Sequence, residues 1–258
     1  MLLKAIACEI SKRELQYAAT RSTNQVDLEF LPQGYHDNPA SGREQIQKRI
    51  DSVAADRYDA IVLGYGLCGK ILAGLKCSLT RLVIPRAHDC ITLFLGSKKR
   101  CQKCFSERPS TYYFTSGWLE CAARQEGKST TWGGAASPAN SASNLRATYD
   151  HWVQTYGEDQ AKYLAEELSR WTETYSHGCL IEFDFLKPLD LAEKVQRICT
   201  DKGWTYDHIP GDLCLLQAML DGPWPDTDFL VVKPGQKVLA TFDERIICAE
   251  DSHRPSEH

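Results

Sequence analysis

The sequence lacks both a long apolar run and an excess of basic charge. No stretch approaches the roughly 20 consecutive apolar residues that a membrane-spanning helix requires. The 30 Lys and Arg against 34 Asp and Glu leave a formal net charge of −4, whereas nucleic acids and membrane surfaces favour a basic face. Met1 to Cys8 has neither the basic start nor the cleavage site of a signal peptide and is typical of a core strand. We therefore expect a cytoplasmic protein without a nucleic-acid or membrane partner.

Cysteine, in contrast, is abundant. The chain has 11 cysteines, and an odd number in a chain of this size argues against a fold held together by disulfides. Free cysteine is among the most buried residue types, so several are expected in the core. Cys101 and Cys104 form a Cys-x-x-Cys pair, but a structural zinc site normally needs a second pair, which the sequence does not contain. Metal ligands or a nucleophile are expected among the remaining thiols.

Short apolar runs alternate with helical patterns from the amino terminus onward. Such alternation predicts an α/β fold: a mostly parallel, Rossmann-like, doubly wound sheet with helices on both faces. Ser41 and Glu44 have the spacing of a capping box at the start of a helix. The predicted strands are Leu2 to Cys8, Val26 to Leu31, Ala60 to Leu63, Leu82 to Ile84, Gly178 to Phe185, Trp204 to Ile209 and Asp228 to Val232.

The middle of the chain interrupts this alternation. Gln125 to Asn144 is rich in small polar residues and predicts a surface loop. Leu145 to Glu173 is strongly helical in composition, and Lys237 to Cys248 predicts an antiparallel edge hairpin. We expect a single α/β domain over residues 1–258. The helical segment is either an insertion into one sheet or the divider of two lobes, at about residues 1–120 and 175–250.

The first candidate for chemistry is the glycine-rich turn that follows the strand at Ala60 to Leu63. Gly64, Gly66 and Gly69 surround Cys68, and glycines there let the backbone approach a ligand closely, so we assign Gly66 and Gly69 to substrate binding. If a helix starts at Cys68, its dipole favours the thiolate and lowers the pKa of Cys68. The alternative is a tight turn around a small buried residue.

The second candidate, His88-Asp89-Cys90, follows the strand at Leu82 to Ile84. A His-x-Cys pair can supply an imidazole nitrogen and a thiolate to one zinc ion, with a further cysteine completing the protein ligands. Asp89 either orients His88 or caps the next helix. Ligands bind at the carboxyl ends of parallel strands, so we expect Cys68, His88 and Cys90 to converge there. Cys68, Cys90 and Asp89 are our predicted catalytic residues.

Flanking residues complete the predicted site. Arg86 provides a positive charge for an anionic ligand, or else pairs with a surface carboxylate. The aromatic residues Tyr112, Tyr113 and Trp118 are expected close to the thiols, as contacts for a small-molecule substrate.

Four sequence blocks together resemble one family, an uncharacterised bacterial and archaeal group whose genes often lie beside corrinoid-dependent methyltransferases. The resemblance covers nearly the whole chain. It implies an association with corrinoid-dependent methyl transfer, with a corrinoid protein or a methyltransferase as a partner. The blocks are Gly64 to Gly69, Arg86 to Ser97, Thr111 to Trp118, and Gly211 to Leu216 with Asp228 to Gly235.

Three functions follow as hypotheses. The first is a metal-dependent protein of methyl transfer, a methyltransferase if it is an enzyme, with zinc or iron held by Cys68, His88 and Cys90. Zinc methyltransferases that act on thiols also combine a His-x-Cys with a distant cysteine, although on a barrel fold. The second is a cofactor-independent, racemase-like enzyme with Cys68 and Cys90 as acid and base. The third is a non-catalytic module that delivers a metal or ligand.

Overall fold

A computed structural model describes residues 1–33, 35, 39–77, 79–125, 149, 152–154, 157–162 and 175–252. The chain divides into two compact units. The first unit is built from two separate segments, Met1–Gln102 and Asp212–His258, and the second comprises Lys103–Gly211. These bounds differ from the predicted lobes, because the chain leaves the first unit and later returns to complete it.

Ten strands and seven α-helices are described. The strands are β1 (Leu2–Cys8), β2 (Gln25–Leu31), β3 (Ala60–Gly64), β4 (Leu82–Pro85), β5 (Thr111–Phe114), β6 (His177–Glu182), β7 (Thr205–Pro210), β8 (Phe229–Val232), β9 (Gln236–Ala240) and β10 (Ile247–Asp251). The helices are α1 (Lys12–Arg21), α2 (Pro39–Asp51), α3 (Cys90–Leu95), α4 (Lys98–Glu107), α5 (Ser116–Gln125), α6 (Leu191–Lys202) and α7 (Cys214–Asp221).

The first unit contains a five-stranded sheet in the order β2-β1-β3-β4-β8. The first four strands are parallel, and β8 runs antiparallel to β4 at one edge. Every residue of β3 and β4 is buried, as expected of apolar strands at the centre of a sheet covered on both faces. The predicted α/β fold with a mostly parallel sheet is confirmed.

Two details of the first unit differ from the expectations. Helix α2 starts at Pro39, so Ser41 lies inside its first turn and is not the N-cap; proline is favoured at a first helical position because its fixed φ suits the helix. The predicted hairpin is present as β9 and β10, which form a separate antiparallel two-stranded sheet.

The second unit has its own parallel sheet in the order β5-β6-β7. Helix α6 connects β6 to β7, and buried Leu191, Val195 and Cys199 pack with Phe114 and Leu180 in its core. The predicted helical segment falls partly here: residues 152–154 and 158–162 are helical, and the remainder lies outside the described residues. The predicted loop beyond Gln125 also lies outside them. No helix in the described part of the chain is long and apolar enough to cross a membrane.

Candidate functional site

The strand order places a switch point between β1 and β3. From β1 the chain crosses through α1 to β2 on one side, whereas from β3 it passes to β4 on the other side. Crossovers that diverge in this way leave a crevice at the carboxyl ends of the two strands, where open α/β sheets bind ligands. We call this region the edge site and define it by Cys8, Tyr65, Cys68, Asp89 and Cys90.

The loops that follow β3 and β4 are joined backbone to backbone. The amide of Leu67 donates to the carbonyl of Ala87 at 2.8 Å, and the amide of Cys68 donates to that of His88 at 2.9 Å. Gly66 allows this approach, since a Cβ there would lie 2.6 Å from the Cα of Asp89. Such a separation is far below van der Waals contact, so only glycine fits without displacing the Asp89 backbone.

The predicted helix at Cys68 is wrong. Residues 68–74 form turns, and Cys68, Gly69 and Lys70 have φ values of 35°, 66° and 70°. Three consecutive residues in the left-handed region cannot begin a right-handed helix. Holding two non-glycine residues there costs energy, a form of strain that concentrates at functional sites.

The glycines of this turn have the Gly-x-Gly-x-x-Gly spacing of a dinucleotide fingerprint. That fingerprint works because a helix N-terminus and free backbone amides face the pyrophosphate. Here no helix follows, and the amides of Leu67 and Cys68 are bonded to the neighbouring loop. The glycine spacing therefore goes with the close packing of two loops. The turn does not form the phosphate-binding site of a dinucleotide fingerprint.

Asp89 is the N-cap of α3. Its Oδ1 accepts hydrogen bonds from the backbone amide of Thr92 at 3.0 Å and from the Thr92 hydroxyl at 3.1 Å. Of the two roles predicted for Asp89, helix capping is therefore present. The cap fixes Cys90 as the first residue of α3 and holds the Asp89 carboxylate beside both thiols.

Cys68 and Cys90 are half-buried thiols on the joined loops. Burial, with the charge of Asp89 adding to it, raises the pKa of Cys68 to about 12, although the backbone amides of Cys90 and Gly66 partly oppose this. Burial also raises the pKa of Cys90 well above its usual range, and the charges of Cys68 and Asp89 add to the effect. The predicted lowering of the Cys68 pKa is wrong, because desolvation dominates and there is no helix dipole to oppose it.

Sequence reasoning missed two members of the edge site. Cys8 is the last residue of β1, and it lies close enough to Cys90 and Tyr65 for its charge to raise the pKa of both. Tyr65 is only 5% exposed, and its hydroxyl has no hydrogen-bond partner among the described residues. Cys8 ends β1 and Tyr65 directly follows β3, but only the strand order brings β1 beside β3.

His88 and Arg86 have different surroundings. His88 is exposed, and its carbonyl accepts the hydrogen bond from Cys68. Arg86 is 3% exposed and donates to the carbonyl oxygens of Asp226, Arg245 and Ile247 and to the Asp226 carboxylate. The alternative of pairing with a surface carboxylate is present, and binding of an anionic substrate by Arg86 stays a prediction.

The predicted aromatic contacts belong to the second unit. Tyr112 packs against Phe114, Trp118, Tyr175 and Trp204, with ring centroids 5.0 to 6.0 Å apart. Tyr113 packs against Phe105 at 5.2 Å. Their predicted proximity to the thiols of the first unit stays a prediction.

Cys101, the first cysteine of the Cys-x-x-Cys pair, is buried in α4. Its Sγ lies 3.3 Å from the hydroxyl oxygen of Thr92, within hydrogen-bond distance, whereas Cys104 one turn further along the helix is half-buried. Cys101 therefore supports the same Thr92 that bonds the Asp89 cap.

The donor chemistry of the edge site suits a soft divalent metal, because three thiols share one sheet edge. In the side-chain positions described, however, no three His, Cys, Asp or Glu residues are grouped to hold one ion. The exposure of His88 is consistent with that finding. The residues therefore match zinc in the type of donor atom and in their location at the sheet edge. In the side-chain positions described, they are not arranged to chelate an ion.

Comparison with known proteins gives one positive finding. No curated protein and no solved structure matches the chain. The model of a protein family described as "Protein of unknown function (DUF1638)" matches residues 30–220. This range contains β3, β4 and both joined loops, whereas Cys8 precedes it. Because the match covers well over half of the sequence, the chain belongs to the DUF1638 family.

Proposed function

We propose that the chain binds zinc through Cys68 and Cys90, with Cys8 as a third thiol, and acts in corrinoid-dependent methyl transfer on a small methylated compound or a methyl carrier. The supporting observation is the position of three thiols within electrostatic reach of one another at the switch point of a parallel sheet. The methyl-transfer assignment rests on the sequence blocks that resemble a family encoded beside corrinoid methyltransferases.

The electrostatics of the edge site favour a cation. Each negative charge raises the pKa of the neighbouring thiols, so two or three thiolates are unstable there without a positive ion between them. Turning a thiol from one rotamer to another costs on the order of 1 kcal/mol. Zinc binding to cysteine-rich sites contributes about 10–16 kcal/mol, which easily offsets such rotations.

Each residue has a separate part in this proposal. Cys68 and Cys90 ligate from two loops that Gly66 and Asp89 hold together, and Cys8 approaches from β1. Bound zinc supplies a Lewis acid that lowers the pKa of a ligated thiol and so creates a nucleophile at neutral pH.

The same observations disfavour the racemase-like alternative. An acid–base pair needs one thiolate near neutral pH, but a pKa of about 12 leaves only about one Cys68 thiol in 10⁵ ionised at pH 7. It also follows that alkylation is expected to be slow with or without a metal, so metal binding has to be measured directly.

Isothermal titration calorimetry with zinc, in buffers of different ionisation enthalpy, tests the metal assignment. Protonated thiols release their protons on ligation, so three thiol ligands should release about three protons per zinc. Cys68→Ser and Cys90→Ser should lose one proton each and most of the affinity, whereas Cys214→Ser, at an exposed cysteine, should match the wild type. Wild-type protein that takes up no zinc, prepared without oxygen, would refute the proposal.

The methyl-transfer assignment needs its own assay. Zinc-loaded protein is mixed with methylcobalamin and a small thiol, and the visible spectrum is followed. In the expected reaction the thiolate sulfur attacks the methyl carbon, the Co–C bond breaks with its electron pair left on cobalt, and a thioether forms. A rate that is equal in wild type and Cys68→Ser would reject this role even if zinc binds.

A further inference from the structure

The second unit has an open cleft between helices α5 and α6. The cleft has a volume of about 330 Å³. Its apolar lining consists of Leu119, Ala122 and Ala123 on the α5 side and Leu189, Leu191 and Ile198 on the α6 side. Leu119, Leu189 and Ile198 are only half-buried, so apolar surface is open to solvent here. Contiguous apolar surface with a charged rim marks an interaction site.

Two exposed charges of opposite sign lie on the α6 side of this cleft. Lys194 and Asp201 both line it and are both exposed. Their positions are seven apart, so they lie on the same side of α6, about 10 Å apart along its axis. Neither side chain has an ion-pair or hydrogen-bond partner among the described residues, whereas the neighbouring Arg197 pairs with Glu193 at 2.8 Å.

We propose that two copies of the chain associate through this surface, which we call the α6 face and define by Lys194, Ile198 and Asp201 with the cleft beside them. A two-fold axis brings the same face of two copies together, so each contact occurs twice. With the two α6 helices antiparallel across the axis, Lys194 of each copy lies opposite the partner's Asp201. The midpoint of this pairing falls between positions 197 and 198, so Ile198 lies beside the axis and is buried by the contact.

The charge pattern favours a second copy over other occupants. Asp201 repels an anionic molecule and Lys194 a cationic one, whereas an antiparallel copy of α6 satisfies both charges at once. Arg197, the other charge near the axis, is already neutralised by Glu193. An apolar centre with a charged rim is the usual composition of a protein interface. The α6 helix of one copy packs as a ridge into the cleft of the other, and the two-fold axis makes this packing reciprocal.

Charge reversal tests the pairing. In Lys194→Glu and in Asp201→Lys both pairs become like-charged, so each variant should self-associate about 10- to 100-fold more weakly than wild type. An equimolar mixture of the two variants has opposite charges at every pair and should form heterodimers with the affinity of wild type. The double variant Lys194→Glu/Asp201→Lys exchanges the charges within each pair and should self-associate like wild type.

Lys202→Glu is the matched control. Lys202 is an exposed residue of the same helix that does not line the cleft. Its reversal changes the net charge of the chain by the same amount as Lys194→Glu, and self-association should stay at the wild-type level. A dimer weakened equally by both substitutions would report net charge and would contradict the proposed pairing.

Sedimentation velocity at rising protein concentration measures self-association, independently of the proposed function. Wild type that remains monomeric up to about 1 mM would overturn the inference, because any dissociation constant below that value gives detectable dimer; the cleft would then be left to a small molecule or a different protein. Dimers that neither single reversal weakens would place the contact elsewhere and refute it. Single variants that stay monomeric when mixed would refute it as well, since the charges of the mixture are complementary.

Discussion

At the scale of single residues, burial rather than position in a motif decides the chemistry of Cys68. Its thiol has a pKa of about 12, against an ordinary value of 9. In the unfolded chain the thiol ionises near pH 9, whereas in the folded protein it keeps its proton until about pH 12. Between these values the unfolded state binds fewer protons, so rising pH destabilises the fold.

This sign gives a prediction for metal-free protein in the presence of a chelator. From pH 9 to pH 11 the wild type should lose more free energy of unfolding than Cys68→Ser, by at most about 1 kcal/mol per pH unit, reduced by solvent screening of a half-buried group. Urea denaturation at several pH values measures the difference. Cys248→Ser, on the β9–β10 hairpin, should follow the wild type. Parallel curves for Cys68→Ser and wild type would mean that the thiol is not desolvated.

Two residues of the edge site, Cys8 and Tyr65, could not be predicted from the sequence. Cys68, Asp89 and Cys90 stood out because each closely follows a recognisable apolar strand. Cys8 ends a strand in the same way, but its relevance depends on β1 lying next to β3, and strand order is a tertiary property. Tyr65 was indistinguishable from a core aromatic residue, since an unpartnered hydroxyl is visible only when its surroundings are known.

At the scale of elements, α3 and its cap connect the fold to the thiols. Asp89 both caps α3 through Thr92 and raises the pKa of Cys68 and Cys90 by its charge. These two effects can be separated, because asparagine caps a helix about as well as aspartate but is neutral.

Asp89→Asn should leave stability nearly unchanged and lower the pKa of both thiols, so iodoacetamide should label them faster at pH 9 to 10. Asp89→Ala should label faster as well, and should also lose about 1 kcal/mol of stability with the cap. Labelling rates by mass spectrometry and urea denaturation distinguish the two. If Asp89→Asn is labelled at the wild-type rate, the carboxylate has no influence on the thiols.

The elements predicted correctly were those with uninterrupted patterns. Strands β3 and β4 are continuous apolar runs in a fully buried position, so their type and approximate bounds were readable. The turn at Cys68 was predicted as a helix because glycine-rich strand-to-helix turns are common. Backbone conformation overrode that pattern, since residues 68–70 are left-handed. Gly66 lies in the loop after β3 and Asp89 in the loop after β4. Their close contact therefore leaves no local signal in the sequence.

At the scale of the whole molecule, the first unit depends on a segment far away in sequence. Strand β8 pairs with β4 through Leu82 to Pro85, and the buried Arg86 guanidinium bonds to three carbonyl oxygens of residues 226–247. Sequence reasoning left open whether the middle segment is an insertion into one sheet, and it did not identify β4 as the partner of the returning strand, because nothing in β8 specifies its partner strand. The edge site therefore sits on a sheet that is complete only when the last segment has been added.

Truncation tests this dependence. A chain that ends at Gly211 lacks α7 and β8 to β10, so it leaves β4 as an open edge and Arg86 buried without its partners. Both defects are severe, since an apolar edge strand promotes aggregation and an unpaired buried charge costs several kcal/mol. We expect this chain to be insoluble or to unfold without cooperativity in urea. A chain that ends at Ser252 keeps every described element and should unfold like the full-length protein. Cooperative unfolding of the shorter chain, with the full-length midpoint, would show that the first 102 residues form their sheet unaided.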